Sequence, residues 1–130
     1  MCIFCEIAEG KIPSYKVYED ELVIAFLDLS QVTLGHTLVL PKKHYETLLD
    51  CPKEVQARMI EVASLIAQQQ LTNLHAKGYN LINNGYAIAG QSVMHAHIHV
   101  IPRYDENDNL KIEFTPTEKP DYEGILAKLK

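Results

Sequence analysis

A chain of 130 residues and 14.7 kDa, with 47% hydrophobic and 22% charged residues, has the size and composition of one globular domain and no room for a second. Its net charge of −5, with twelve scattered Lys and Arg residues, argues against nucleic acid as a main partner, although backbone amides and a few imidazoles could still bind a small anion. No apolar run approaches the roughly 20 residues needed to span a bilayer, the first residues carry no basic leader, and three cysteines fit a reducing compartment better than a disulfide framework, so no membrane partner and a cytoplasmic location are expected.

In chain order, Ile3 to Ala8 reads as a short helical turn, broken by Glu9-Gly10-Lys11-Ile12-Pro13-Ser14. Lys16 to Tyr18 and Leu22 to Leu29 read as a hairpin turning through Glu19-Asp20-Glu21, the second run almost wholly apolar. His36 to Pro41 is a third strand, opened by Gly35 and ended by Pro41. Asp50-Cys51-Pro52-Lys53-Glu54 has the form of a helix start, with Pro52 at the first helical position and Cys51 a weak cap. Val55, Met59, Val62 and Ile66 then recur at helical spacing, which predicts one long helix over about 53–76, with His75 favouring its dipole and Gly78 ending it. Cys51 is a bystander.

Tyr79 to Asn83 reads as a fourth strand and Asn84 to Gly90 as a loop. Val93 to Ile101 is a fifth, and it carries half of the six histidines: His95, His97 and His99 alternate with Ala96, Ile98 and Val100. On a strand such residues share one face at roughly 6.6 Å intervals, so the imidazoles project together while the apolar residues anchor the other face. A row of this kind can act only if its face is open. Imidazole can be nucleophile, acid, base or metal ligand near neutral pH, and alternation alone leaves those roles undivided. Residues 103–120 form a surface excursion, and Asp121 to Lys130 closes as a short helix. The expected fold class is α+β, a mainly antiparallel sheet grouped around one helix.

His95-Ala96-His97-Ile98-His99-Val100-Ile101 resembles the His-φ-His-φ-His-φ-φ motif of the histidine triad (HIT) family of nucleotide hydrolases and transferases. Cys2-Ile3-Phe4-Cys5, Ile12-Pro13-Ser14, Phe26-Leu27-Asp28-Leu29-Ser30, the stretch from Gly35 to His44, and Gly90-Gln91-Ser92 resemble its bacterial Hint-like branch in order and spacing, over about residues 2–104. The resemblance implies a HIT-like fold of about five antiparallel strands, one long helix and short terminal helices, assembled as a homodimer whose sheets run on into one another. It also implies cleavage at the α-phosphorus of purine nucleoside phosphate derivatives, such as dinucleoside polyphosphates or nucleoside phosphoramidates, with AMP or GMP as the bound half.

Carried onto this chain, the resemblance makes His97 the nucleophile, with His99 and His36 on the phosphate side. Gln91 and Ser92 match positions that contact phosphate and leaving group. Asp28 matches the ribose-binding carboxylate, Phe4, Ile7 and Leu29 the base pocket, and Asn83 the phosphate-side asparagine. The loop from Gly85 to Gln91 is one residue longer than is common in the branch, which leaves Asn84 as an alternative to Asn83.

A Cys2-x-x-Cys5 pair alone could serve redox chemistry or simply occur, but the same branch offers Cys2, Cys5, His44 and His95 as a four-ligand structural zinc set. Three other functions compete. A nucleotidyltransferase of the galactose-1-phosphate uridylyltransferase branch would carry glutamine where His99 stands. A nucleotide-binding adaptor would hydrolyse only incidentally. A protein using the histidine row purely for metal would leave Ser92, Asp28 and Asn83 without a role.

Overall fold

The computed structural model of the chain describes residues 2–130. Five strands form one wholly antiparallel sheet: β1 (Lys16–Glu19), β2 (Val23–Leu27), β3 (Thr37–Pro41), β4 (Gly78–Ile82) and β5 (Ile98–Arg103), in the spatial order β1-β2-β3-β5-β4. Helix α1 (Ile3–Ala8) lies on one face and the long helix α2 (Lys53–Asn73) on the other, with α3 (Tyr122–Leu129) at the end of the chain. Short 3₁₀ turns over Leu48–Asp50 and Ala87–Ala89 complete the regular structure. The α+β expectation holds. Among the described residues no helix is long and apolar enough to cross a membrane.

Period-two alternation explains how each strand serves two cores. Val23, Ala25, Val39, Ala96, Ile98 and Val100 turn towards α2, where Val55, Met59, Val62 and Ile66 meet them with Ala63 and Ala67 between. Ile24, Phe26, Leu38 and Leu40 turn the other way and pack with Phe4 of α1. β2 and β3 are thus covered on both faces, which accounts for their nearly unbroken apolar runs.

Asp20 closes the first hairpin, its Oδ1 accepting from the Leu22 and Val23 amides at 2.8 and 2.9 Å. Its Oδ2 accepts from Arg58 Nε at 2.6 Å, and a second Arg58 nitrogen donates to Tyr18, tying the hairpin to α2.

Several boundaries differ from the sequence reading. α2 stops at Asn73 rather than near residue 76, because His75 takes a left-handed backbone (φ 59°), and Gly78 instead opens β4. β2 ends at Leu27, before Asp28 and Leu29, and β4 at Ile82, before Asn83. The largest difference is in the strand of histidines, which begins at Ile98 rather than Val93, so His95 and His97 precede its ladder. β3 pairs with β5 from Val39↔Ile98 to Thr37↔Val100, a register that would set Pro41 against Ala96. Proline has no N–H to donate there, and the Ala96 amide turns instead to the Tyr45 carbonyl at 2.7 Å.

Met59 is fully buried between α2 and the sheet. Met59→Ala is expected to cost about 2–5 kcal/mol through the cavity it leaves, read as a lowered denaturant midpoint with an unchanged slope.

Candidate active site and neighbouring Cys/His cluster

On the α1 side of the sheet lies a cleft of about 680 Å³. Phe26, Leu38 and His99 cross its floor as register partners on β2, β3 and β5, with Leu38 opposite both. Phe4 and Ile7 of α1, with Ile12, Pro13 and Leu29, line it with apolar side chains, and Asp28, Ser30 and Ser92 add polar ones. Phe4 meets the His97 ring edge-on, at a centroid distance of 5.2 Å and an interplanar angle of 88°.

His97 is committed at one nitrogen. Its Nδ1 donates to the His95 carbonyl at 2.7 Å, which puts the ring proton on Nδ1 and leaves Nε2 with a free lone pair. Asn83 Nδ2 donates to the carbonyl of His97 itself at 3.0 Å, so ring and backbone are held separately. Burial keeps the ring below the ordinary histidine pKa, against the opposing pull of the His95 carbonyl and the Asp28 charge.

A second relay fixes His99. The Val32 amide donates to His36 Nδ1 at 3.3 Å, which assigns the His36 proton to Nε2. That nitrogen lies 2.9 Å from His99 Nδ1 and 3.6 Å from Asp28 Oδ2. His36 therefore donates to His99, and the His99 proton sits on Nε2 as a donor. Burial pushes His99 down to about 4, helped by the neighbouring His97 and His36. His36 is also depressed, again chiefly by burial, with Asp28 opposing.

Of the residues singled out from sequence, Phe4, Ile7, Asp28, Leu29, Ser92, His97 and His99 line the cleft, and His36 supports it from behind His99. Gln91 does not line it. It is 3% exposed, and its Nε2 donates to the Glu46 and Val93 carbonyls at 2.6 and 3.1 Å while its Oε1 accepts from the Tyr86 amide at 2.8 Å. It pins the 84–92 loop, and Tyr86 holds a positive φ of 70° under that tether. Asn83 acts on the His97 backbone from outside the cleft; Asn84 bonds to the Gly90 carbonyl at 3.4 Å. Sequence assigned no role to Ile12, Pro13, Ser14 or Tyr15, which complete the wall; the resemblance marked the first three through Ile12-Pro13-Ser14, and nothing marked Tyr15.

The expectation of an open imidazole face is corrected: His95 and His97 are 0% and 5% exposed, because α1 and its Phe4 close over them.

Beside the cleft, Cys2, Cys5, His44 and His95 bring one ligand atom each to within 4.8 Å of one another. The two sulfurs lie 3.1 Å apart, and the four sulfur to Nδ1 distances run from 3.3 to 3.5 Å. A tetrahedral ion with bonds of about 2.3 Å to sulfur and 2.0 Å to nitrogen would separate S and N by roughly 3.5 Å. His95 Nε2 donates to the Pro41 carbonyl at 2.8 Å, which leaves Nδ1 as the lone pair facing the thiols. The donor set fits zinc. Burial, reinforced by the adjacent Cys2 thiol, pushes the Cys5 thiol up to about 11, a penalty that a cation among the four ligands would reverse.

The HIT domain family model matches residues 9–106. The chain belongs to the HIT family. A HIT-like protein of Methanocaldococcus jannaschii is 43% identical over 130 residues, covering 100% of this chain and 99% of that protein. Adenosine 5′-monophosphoramidase of Saccharomyces cerevisiae is 35% identical over 136 residues, covering 99% and 83%, and adenylylsulfatase of Arabidopsis thaliana is 39% identical over 106 residues, covering 82% and 54%. Among solved structures, a HIT family member from Bacillus subtilis superposes with a TM-score of 0.91 at 42% identity, covering 98% of this chain and 94% of that one. A zinc-bound histidine triad protein from Mycobacterium smegmatis gives 0.79 at 38% identity, with 98% and 94% covered.

The His36–His99 pair sets a pH dependence on stability. Both imidazoles are depressed in the fold, His99 to about 4, and titrate near 6.5 when unfolded, so the unfolded chain binds more protons as pH falls below 6.5. Stability from this pair is complete above pH 6.5 and is lost as pH falls towards 4. Thermal melts from pH 7 to 4.5 should show a falling Tm, and replacing His99 by Asn should flatten part of that slope.

Proposed function

We propose that this HIT-family protein is a nucleotide hydrolase that cleaves at the α-phosphorus of a purine nucleoside phosphate derivative through a nucleotidyl group carried on His97. The observation that carries the reading is the tautomer of His97: Nδ1–H is spent on the His95 carbonyl inside a cleft sized for a nucleotide, so Nε2 is the free nucleophilic atom. Two relatives, an adenosine 5′-monophosphoramidase and an adenylylsulfatase, support an adenylyl group as the bound half and variety in what leaves.

In this reading the apolar wall of Phe4, Ile7 and Leu29 takes the base and Asp28 Oδ2 accepts from ribose hydroxyls. His97 Nε2 attacks phosphorus in line, forming the N–P bond as the bond to the leaving group breaks. His99 Nε2–H donates to a non-bridging oxygen as charge develops, and the Ser92 hydroxyl contacts the departing group. Water then cleaves the N–P bond, releasing the nucleoside monophosphate and returning His97. Phosphoramidates, adenylyl sulfate and dinucleoside polyphosphates share the first half of this course and differ in the group that leaves.

Cys2, Cys5, His44 and His95 would hold a structural zinc that ties the N-terminal segment to the approach of the nucleophile without entering the reaction. The zinc-bound relative supports this. The same reading places the protein in the cytoplasm, where its free thiols would stay reduced, as a homodimer.

His97→Ala should abolish release of nucleoside monophosphate, a loss of at least 10³-fold in kcat/KM, while AMP affinity measured by calorimetry changes little. Undiminished turnover in that variant would sink the proposal, and tight AMP binding by the native protein with no turnover on all three substrate classes would favour an adaptor. For the metal, the Cys2→Ser, Cys5→Ser variant should lose the equimolar zinc measured by plasma mass spectrometry and melt several degrees lower. Equal zinc content and Tm in the native and variant proteins would overturn the structural site.

A further inference from the structure

β2 and β3 part after the Leu27↔Thr37 pair, and the connection between them begins with Asp28 and ends with His36. One backbone bond, from the Asp28 amide to the His36 carbonyl at 3.0 Å, joins these residues across the neck of the connection. A single bond fixes neither the tilt of the two residues nor the spacing of their side chains, yet Asp28 Oδ2 stands 3.6 Å from His36 Nε2.

Gln31 supplies the missing ties. Its Nε2 donates to the Asp28 carbonyl at 2.5 Å and to the His36 carbonyl at 2.7 Å, and its Oε1 accepts from the Gly35 amide at 2.7 Å. A primary amide has two N–H donors, so both are spent on carbonyls from opposite sides of the neck. Gly35 turns through a φ of 110° immediately ahead of His36, and the Gln31 oxygen holds that turn at its amide.

The side chain does this from outside the cleft, to which the same connection contributes Asp28, Leu29 and Ser30. Its influence passes through its neighbours. Before it, the Ser30 amide donates to Asp28 Oδ1 at 2.7 Å, which leaves Oδ2 to face His36. After it, the Val32 amide donates to His36 Nδ1 at 3.3 Å and so sets the proton that His36 offers to His99. The outer part of the connection is anchored separately, by the Thr33 hydroxyl donating to the Pro102 carbonyl at 2.6 Å and by Tyr104 donating to the Leu34 carbonyl. Holding the connection on the body and holding its neck are thus tasks of different residues.

We propose that Gln31 is a positioning residue that locks Asp28 to His36, so that the carboxylate facing the ribose and the His36–His99 pair facing the phosphate move as one unit. The clamp deepens the nucleotide reading of this cleft and rests on it for the role of Asp28. Its signature is a preference for ligands that carry ribose hydroxyls, because Asp28 Oδ2 has nothing to accept from a ligand that lacks them.

The test compares AMP with 2′,3′-dideoxy-AMP by calorimetry on the full chain. The native protein should favour AMP by roughly tenfold or more, the worth of a hydrogen bond to a charged group. Gln31→Met keeps the length and removes the amide, and should bring the two affinities to within about twofold by weakening AMP alone. Gln31→Glu keeps the acceptor for Gly35 but sets an oxygen against both carbonyls, and should match Gln31→Met. Thr33→Val cuts the outer anchor, and should lower Tm while the native preference stays. With adenosine 5′-phosphoramidate as substrate, Gln31→Met should raise KM and lower kcat, whereas Thr33→Val should move neither by more than about twofold. In the native protein, the Gln31 side-chain amide signals in a ¹⁵N spectrum should shift with AMP and stay with the dideoxy ligand, a reading that holds even if neither Gln31 variant folds.

A native preference retained in Gln31→Met, an equal loss for both ligands, or amide signals that shift alike with both overturns the clamp. A native protein without the preference overturns the clamp and the ribose role of Asp28 together. Ribose-selective binding with no turnover of the phosphoramidate brings down the hydrolase reading alone, and the affinity ratios then decide the clamp.

Discussion

The hydrogen bond from His95 Nε2 to the Pro41 carbonyl, 2.8 Å long and fully buried, organises both sites of this protein. Pro41 cannot extend the β3–β5 ladder by donating, yet its carbonyl is available, and His95 takes it. With that bond made, the His95 ring has a single tautomer, and its remaining nitrogen faces Cys2, Cys5 and the ring of His44. One residue supplies two functions from different atoms. Its side chain completes the Cys/His cluster, while its carbonyl holds His97 Nδ1 and so frees His97 Nε2. Losing the Pro41 contact would therefore loosen the His97 ring and the cluster together.

Neutral imidazoles are the second constraint, and burial supplies it. Charged histidine is disfavoured in a closed, largely apolar cleft, so His36, His97 and His99 are all depressed and uncharged near neutral pH. The proposed roles ask for a lone pair on one ring and a single proton on another. The chain meets these opposite demands with the same residue type by choosing the neighbour of each ring: a carbonyl for His97 Nδ1, and a donating imidazole for His99 Nδ1. Val32 sets the second choice through a backbone amide, a contact no side-chain pattern would disclose.

The loop between β4 and β5 carries the same division between touching and positioning. Asn83 and Gln91 sit at its two ends, one bonded to the His97 carbonyl and the other to three backbone groups. A buried glutamine with every polar atom committed is a fastener, and its effect on the cleft runs through Ser92, the next residue along. The loop turns through positive φ at Tyr86 and at Gly90, 70° and 100°, just ahead of Gln91 and Ser92.

Sequence by itself determined the strand periodicities and the apolar stripe of α2, because these depend on residue type and spacing along one element, and its motifs carried the resemblance that implied the family and most of the cleft. His97 and His99 were legible from alternation, whereas Phe4, Asp28 and Ser92 were marked only by the family resemblance. The division of labour among the histidines was not legible from alternation, which made them equivalent; the resemblance suggested their roles, and tertiary contacts from Pro41, the thiols and Val32 distinguish their rings. The burial of His95 and His97, the start of β5 at Ile98 and the fastening role of Gln91 were likewise decided in three dimensions. Each depends on what an atom distant in sequence donates, accepts or covers, and a one-dimensional pattern carries no record of that partner.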